Sequence, residues 1–454
     1  MWVPANKDAL PTMEEMQCAK GVIKELEIML KDAVELLEQA KARVIALTKD
    51  LEERQAWIAP IRKLPFEILS EIFIFTSEVD DLSPVTITEV CRVWQKVVIS
   101  TPRAWSLIYA DRLKDINIGW GGYVKPDGLP PQYFSTFIER SNPRMLHISV
   151  PRDEYYEISD IRHFHPVEAL RSAVHRIQCL SVTSWQLVHF APEAFLNLTK
   201  LTLLSGEYEI EPSFFTRSRF PCLRYLDCLN CLMDHSPQSG TMLFPPLQHL
   251  AINAEEDGWF ELVQGCANSL VGLKVLSGGA LPIPRATISF PKLDSLTFWT
   301  VSGVPMPIQA RTPALRSYEQ MVRDYDGTQH PVFHDDIKKI THLCTDLLLD
   351  LADFATLRVL QFELAHHESP VHMIHTILHS LKENKDMYPA LQTIRFHLPT
   401  EVYEDAGFKA MIPSFDNSAQ RARPRITLWF TDEPPEPLSG SVEEAQVCIK
   451  FRVL

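Results

Sequence analysis

Phe244-Pro-Pro-Leu247-Gln-His-Leu250-Ala-Ile252 holds in nine residues the pattern on which this chain's fold turns. It reads as an aliphatic residue, two variable positions, a second apolar residue, one variable position and a third apolar residue. The alternation at its end suits a short strand, in which residues i and i+2 share one face. The template recurs as Ile177/Leu180/Val182, Leu198/Leu201/Leu203, Leu223/Leu226/Cys228, Leu247/Leu250/Ile252, Leu270/Leu273/Val275 and Leu293/Leu296/Phe298. Weaker copies follow at Leu315/Tyr318, Ile340/Leu343, Leu357/Leu360/Phe362 and Leu391/Ile394/Phe396. The middle residues fall at 180, 201, 226, 250, 273, 296, 318 and 343, in steps of 21 to 25. The next step, to 360, is short, and the one after, to 394, is long. Four aromatic–proline pairs, Phe220-Pro221, Phe244-Pro245, Phe290-Pro291 and Tyr388-Pro389, stand just before a strand. Proline there cannot continue a preceding helix and marks the turn into the strand.

A period of 20–29 residues with this spacing is the signature of leucine-rich repeats, each unit burying its inward face only by stacking on the next. The expected fold is mixed α/β: a long N-terminal helix, a small helical segment, then an irregular leucine-rich-repeat solenoid of α/β-horseshoe type over 145–430. Met145–Val150 reads as its first, atypical member or as a cap, and Arg425–Phe430 as its closing strand. Residues 110–144 are expected to be a linker, with a loop from Gly119 to Pro131, and 431–454 a C-terminal tail. Variable positions beside the strands, such as Arg224, Tyr225, Gln248, His249, Asp294 and Ser295, are candidates for an exposed binding face.

Residues 1–15 are expected to be disordered, and 16–59 one heptad helix. Its first row is Met16, Ile23, Leu30, Leu37, Val44, Leu51 and Ile58; its second is Ala19, Leu26, Ala33, Ala40, Leu47 and Arg54. Val22, Met29 and Leu36 widen the stripe in its first half, and Pro60 ends it. Such a stripe fits a homodimeric coiled coil through 16–58, and equally a helix packed on its own protein or on another partner.

Residues 61–108 read IRKLPFEILSEIFIFTSEVDDLSPVTITEVCRVWQKVVISTPRAWSLI. Pro65 suits a first helical turn, and Glu67 places negative charge near the positive end of the helix. Ile68, Leu69, Ile72 and Phe73 are expected to form one apolar stripe. A second helix is expected from Ser83-Pro84 or Thr86, with Val90, Cys91, Trp94, Val97 and Val98 on one side. Pro102 halts it, and Trp105 follows in a short turn. About fifty residues make only a small core, so the segment leans on the rest of the chain or offers an apolar face to a partner.

Leu64-Pro65-x-Glu67-Ile68-Leu69-x-x-Ile72-Phe73, Val90-Cys91-Arg92-x-Trp94 and Thr101-Pro102-x-x-Trp105 together resemble an F-box, most closely the type common in mushroom-forming fungi. There a heptad helix precedes the box and leucine-rich repeats follow it. The resemblance implies a three-helix F-box over 60–109 that docks on the Skp-type adaptor of an SCF ubiquitin ligase, and through it on a cullin scaffold. It implies adaptor-binding or helix-fixing roles for Leu64, Pro65, Ile68, Leu69, Ile72, Phe73, Cys91, Trp94, Val97 and Trp105. The chain would then be a non-catalytic receptor holding an unidentified target protein on its repeats. A binding scaffold without degradation is the other reading.

No cofactor or metal is expected. Gly119-Trp-Gly121-Gly122 lacks the lysine of a phosphate loop, and Cys228-x-x-Cys231 is half a zinc site. His372, His375 and His379 share a helix face, which leaves a metal geometrically open. A net charge of −14 without a long basic run argues against nucleic acid and anionic membrane as partners. Scattered cysteines and no secretory signal lead to the expectation of a reduced cytoplasmic or nuclear compartment.

Overall fold

The computed structural model describes residues 10, 12–80, 82–109, 131–150, 170–190, 193–204, 209–231, 233, 242–255, 258–277, 287–301, 309–323, 337–346, 354–364, 369–383, 390–399, 402, 405, 408, 425–430 and 447–451. The chain is mixed α/β and divides into two units, 1–72 and 73–454.

The first unit is dominated by α1, Met13–Ile58. It begins three residues before the heptads because Thr12 and Glu15 cap it reciprocally. The Thr12 amide and hydroxyl both donate to Glu15 Oε2 at 2.9 Å, and the Glu15 amide donates to Thr12 Oγ1 at 3.3 Å. These bonds satisfy amides that a helix start leaves open, and they hold the Glu15 carboxyl below its usual range. A 3₁₀ turn, Pro60–Lys63, leads to α2, Phe66–Val79, which runs into the second unit.

In the second unit the expected single helix is two, α3 at Ser83–Val90 and α4 at Arg92–Ile99, because Cys91 adopts an extended conformation between them. A 3₁₀ turn, Pro102–Trp105, follows. Then the sheet begins, earlier than expected, with β1 at Leu107–Tyr109. The presumed linker contains α5, Pro131–Arg140; residues 110–130, with the expected loop, lie outside the described residues. The sheet continues through β2 (Leu146–Ser149), β3 (Ile177–Val182), β4 (Lys200–Leu203), β5 (Tyr225–Cys228), β6 (His249–Asn253) and β7 (Gly272–Ser277). Strands β8 (Thr287–Ser289) and β10 (Gln309–Arg311) form a separate parallel pair that the template did not anticipate. The main sheet resumes with β9 (Ser295–Val301), β11 (Ser317–Arg323), β12 (His342–Thr345), β13 (Val359–Glu363), β14 (Thr393–Leu398) and β15 (Arg425–Phe430). It ends at β16, Val447–Phe451, inside the stretch expected to be a tail.

Among the described residues, 14 strands form the main sheet, paired in parallel and in chain order, and that sheet is open. The registers put one residue of each strand in a single row: Ile108, Ile148, Leu180, Leu201, Leu226, Leu250, Leu273, Leu296, Tyr318, Leu343, Leu360, Ile394, Ile426 and Val447. From Ile108 to Ile394 every member is buried. The middle residues of the sequence template are this row. The residues three positions earlier, from Ile177 to Leu357, lie just before or at the start of each strand and are buried as well.

Two of the four weaker copies have polar groups in the core. Gln320 and Thr345 occupy the third inward position and are buried, and the Tyr318 hydroxyl donates to Gln320 Oε1 at 3.1 Å. The long step from 360 to 394 accommodates a helix, Pro370–Glu383. Behind the strands Phe220 stacks on Phe195 at 5.5 Å, and Phe195 meets Phe190 edge-on at 5.4 Å. Phe220 and Phe290 of the aromatic–proline steps are buried and Phe244 is half-buried; Tyr388-Pro389 lies outside the described residues.

At its beginning the sheet is tied to α5 by Arg176. Its guanidinium donates to the carbonyls of Ile138 and Arg144 and to Ser141 Oγ, at 2.7–3.0 Å. Burial lowers its pKa, and the bonds to three acceptors offset the cost of desolvation.

Candidate docking surfaces

The expected single stripe of Ile68, Leu69, Ile72 and Phe73 is two opposite faces of α2. Leu69 and Phe73 are buried, with Ile74 and Ser77. Ile68 (48% exposed), Ile72 (37%), Phe75 (70%) and Val79 (63%) lie four, three and four residues apart, on the other face. A helix whose second apolar face stays in water at such exposure is suited to cover by something else. Phe75 and Val79 were missed as site residues, although their i+7 and i+11 spacing from Ile68 was there to find.

The remaining expected residues divide in the same way. In the first unit Leu64 is half-buried and Pro65 exposed, its carbonyl accepting from the Leu69 amide at 3.1 Å. In the second, Val97 and Trp105 are fully enclosed, so they fix helices and are out of a partner's reach. Trp105 is the hub there. Its indole N–H donates to the Val98 carbonyl at 2.7 Å, its ring meets Phe137 at 4.9 Å, and the Arg140 guanidinium lies 4.5 Å from its centroid. Trp94 is half-buried and packs against Phe73 at 5.1 Å between centroids. Cys91 is half-buried, and its neighbours Val90 and Val93 are exposed. Leu69, Phe73, Val97 and Trp105 therefore leave the set of contact residues and belong to the core.

The outward face of the sheet carries a second assembled surface. Lys274 on β7 places its ammonium 3.5 Å from the ring centroid of Trp299 on β9. The Trp299 indole N–H donates to Glu319 Oε1 at 3.2 Å, and the Thr297 hydroxyl to Glu319 Oε2 at 3.1 Å, across to β11. These four side chains are half-buried, held by mutual cation–π and hydrogen-bond contacts. Of the expected binding-face residues, Tyr225 and His249 are adjacent on β5 and β6, with centroids 6.1 Å apart, and Lys200 sits 4.9 Å over Tyr225. Arg224, Gln248 and Asp294 are exposed and Ser295 is half-buried.

Burial pushes the Cys231 thiol from 9.0 to about 11 and Cys228 well above its ordinary value, which favours the neutral thiol at both positions. His375 and His379 lie with rings 6.4 Å apart, yet among the described residues no three His, Cys, Asp or Glu side chains converge as a metal set. Likewise, among the described residues no helix is long and apolar enough to cross a membrane. No family model and no curated protein sequence matches this chain.

Proposed function

We propose that the chain is the receptor subunit of an SCF-type ubiquitin ligase: an F-box spanning 60–109 docks on a Skp-type adaptor, and leucine-rich repeats hold a target protein. The observation that carries this reading is the exposed row Ile68, Ile72, Phe75 and Val79 on a helix whose opposite face is buried. Leu64-Pro65 stands at the start of that helix, where the resemblance to F-box sequences assigns the first contacts.

Covering a large apolar side chain is worth about 1.5–3 kcal/mol, against association costs of several kcal/mol. Four such residues, with Leu64 and Pro65, suffice for a specific complex. The receptor itself performs no chemistry in this reading. Bound to the repeats, a target is held near a charged ubiquitin carrier borne by the cullin scaffold, and the gain is effective concentration. The Lys274–Trp299–Glu319 surface is the proposed centre of target recognition, since its side chains are pre-ordered and pay little entropy on binding.

Co-purification with a Skp-type adaptor tests the docking half. Wild type should retain the adaptor, and Ile68→Asp/Ile72→Asp should lose at least a hundredfold in affinity while melting at the wild-type temperature. Failure of the intact chain to retain any Skp-type adaptor would overturn the reading.

A further inference from the structure

The heptad rows of α1 differ in size, and the difference selects one way of pairing. Every residue of the two rows from Ile23 to Ile58 is exposed. The large apolar side chains on and beside them offer on the order of 1,000 Å² on one helix, above the 300–600 Å² of a typical monomer's largest patch and the ~800 Å² per partner of a stable interface. The first row is large throughout. The second contains Ala19, Ala33 and Ala40, and ends in Arg54.

In a parallel, in-register pair each residue meets its own copy. Three layers would then be alanine on alanine, and Arg54 would face the partner's Arg54 in the seam. At the flanking positions such a pair would bring only Glu15, already bonded to Thr12, opposite a base, the partner's Lys20. An antiparallel pair instead sets the first row against the second. With the helices overlapping along their whole length, Leu30 meets the partner's Ala40, Leu37 the partner's Ala33, and Leu51 the partner's Ala19. Ile23 meets the partner's Leu47, and Val44 the partner's Leu26. Large faces small in three layers, which fills the seam without gaps. The same register puts Glu27 beside the partner's Lys41, twice by symmetry. At the two-fold axis Val34 and Leu36 each meet their own copies, which accounts for apolar residues at flanking positions that are usually charged. Arg54 is moved to the end of the seam, where it keeps its Asp50 pair at 3.0 Å.

We propose that α1 pairs with α1 of a second copy of this chain as an antiparallel coiled coil in this register. A helix of 46 residues at 1.5 Å per residue is about 70 Å long, so the two C-terminal ends, each leading into α2, are held about 70 Å apart. Lys41 lies 2.8 Å from Glu38 of its own helix, an exposed pair that leaves the ammonium free to turn towards the partner's Glu27.

Sedimentation equilibrium of the full chain at micromolar concentration should give twice 51.9 kDa. Leu30→Glu/Leu37→Glu should give the single mass. Glu27→Lys, which sets two ammonium groups together at both ends of the axis, should raise the dimer dissociation constant about tenfold. Glu27→Lys/Lys41→Glu should return it to within about twofold of wild type, because only the antiparallel register brings those positions together. Thermal unfolding of the sheet in the same samples, unchanged throughout, shows that the body of the protein is intact. A wild-type chain that stays at the single mass at tens of micromolar overturns the proposal, and so does a double variant no tighter than Glu27→Lys alone.

Discussion

Residue by residue, exposure separates what builds this protein from what it offers to others. Trp105 is enclosed on all sides and uses its one polar atom on the Val98 carbonyl, so Trp105→Ala removes a large ring and one of the hydrogen bonds that this carbonyl accepts, another coming from the Thr101 amide. A loss of about 3–5 kcal/mol is expected, read as a lower urea midpoint. Phe75→Asp, at a side chain of comparable size that is mostly in water, should leave that midpoint within about 0.5 kcal/mol. The buried thiols add a pH dependence. Burial raises Cys231 to about 11 and Cys266 to about 12, from 9.0. Their folded pKa lies above the unfolded one, so this contribution is complete below pH 9 and is lost as pH rises from 9 towards 12. Each thiol that ionises only on unfolding shifts the unfolding equilibrium by up to tenfold per pH unit. Urea titrations at pH 8, 9, 10 and 11 should show the midpoint falling above 9, and replacing both cysteines by alanine should make that fall shallower without abolishing it, since burial raises Cys228 and Cys344 as well.

Among the elements, strands were legible in the sequence and helix faces were not. A strand of this sheet needs three inward apolar residues at fixed offsets, and its neighbours impose the same register, so Leu180, Leu226 or Leu296 could be placed by counting alone. The copies ending in Gln320 and Thr345 were faint because a hydrogen bond from Tyr318, not an apolar contact, settles the inward glutamine. α2 was misread for a different reason. Its residues are apolar on nearly every side, and periodicity cannot tell a face turned inward from one left in water. β1 and β16 escaped because strands of three and five residues at the ends of the array carry too little of the template. Elsewhere close packing adds a requirement that no periodicity shows. A Cβ on Gly265, in the helix Trp259–Cys266, would fall 2.1 Å from the Phe244 ring. Gly265→Ala should therefore destabilise by about 1 kcal/mol net, overpacking outweighing the gain in helix propensity, with the melting temperature as readout.

For the whole molecule, the order of strands in the sheet matters more than any one contact. Each strand pairs with its neighbours in sequence, and no described strand of the main sheet crosses back over another. A chain truncated after Leu398, lacking β15 and β16, should retain the remaining strands as a folded sheet with a lower unfolding midpoint, because it loses one end of a stack and keeps its interior. Circular dichroism and hydrogen exchange would check this: protection should persist in β3–β13 and fall off near β14. Removing the segment from Gly272 to Val301 should cost far more, since β6 and β11 have no register built for each other. The same truncation bares the edge of β14, so aggregation at high concentration is its expected cost.

That chain-ordered pairing also sets how the protein would yield under force. Among the described strands of the main sheet none is locked between partners distant in sequence, so pulling from the β16 side detaches them one at a time. Each step exposes the next edge and releases between 17 and 40 residues of chain, counted along the buried row. The record of such an experiment would be a staircase of small extensions of unequal length instead of one large rupture. An unfolding motor that engages the C-terminal end would meet a series of low barriers, and the last regular structure it removed from the sheet would be β1, beside the helices proposed to hold the adaptor.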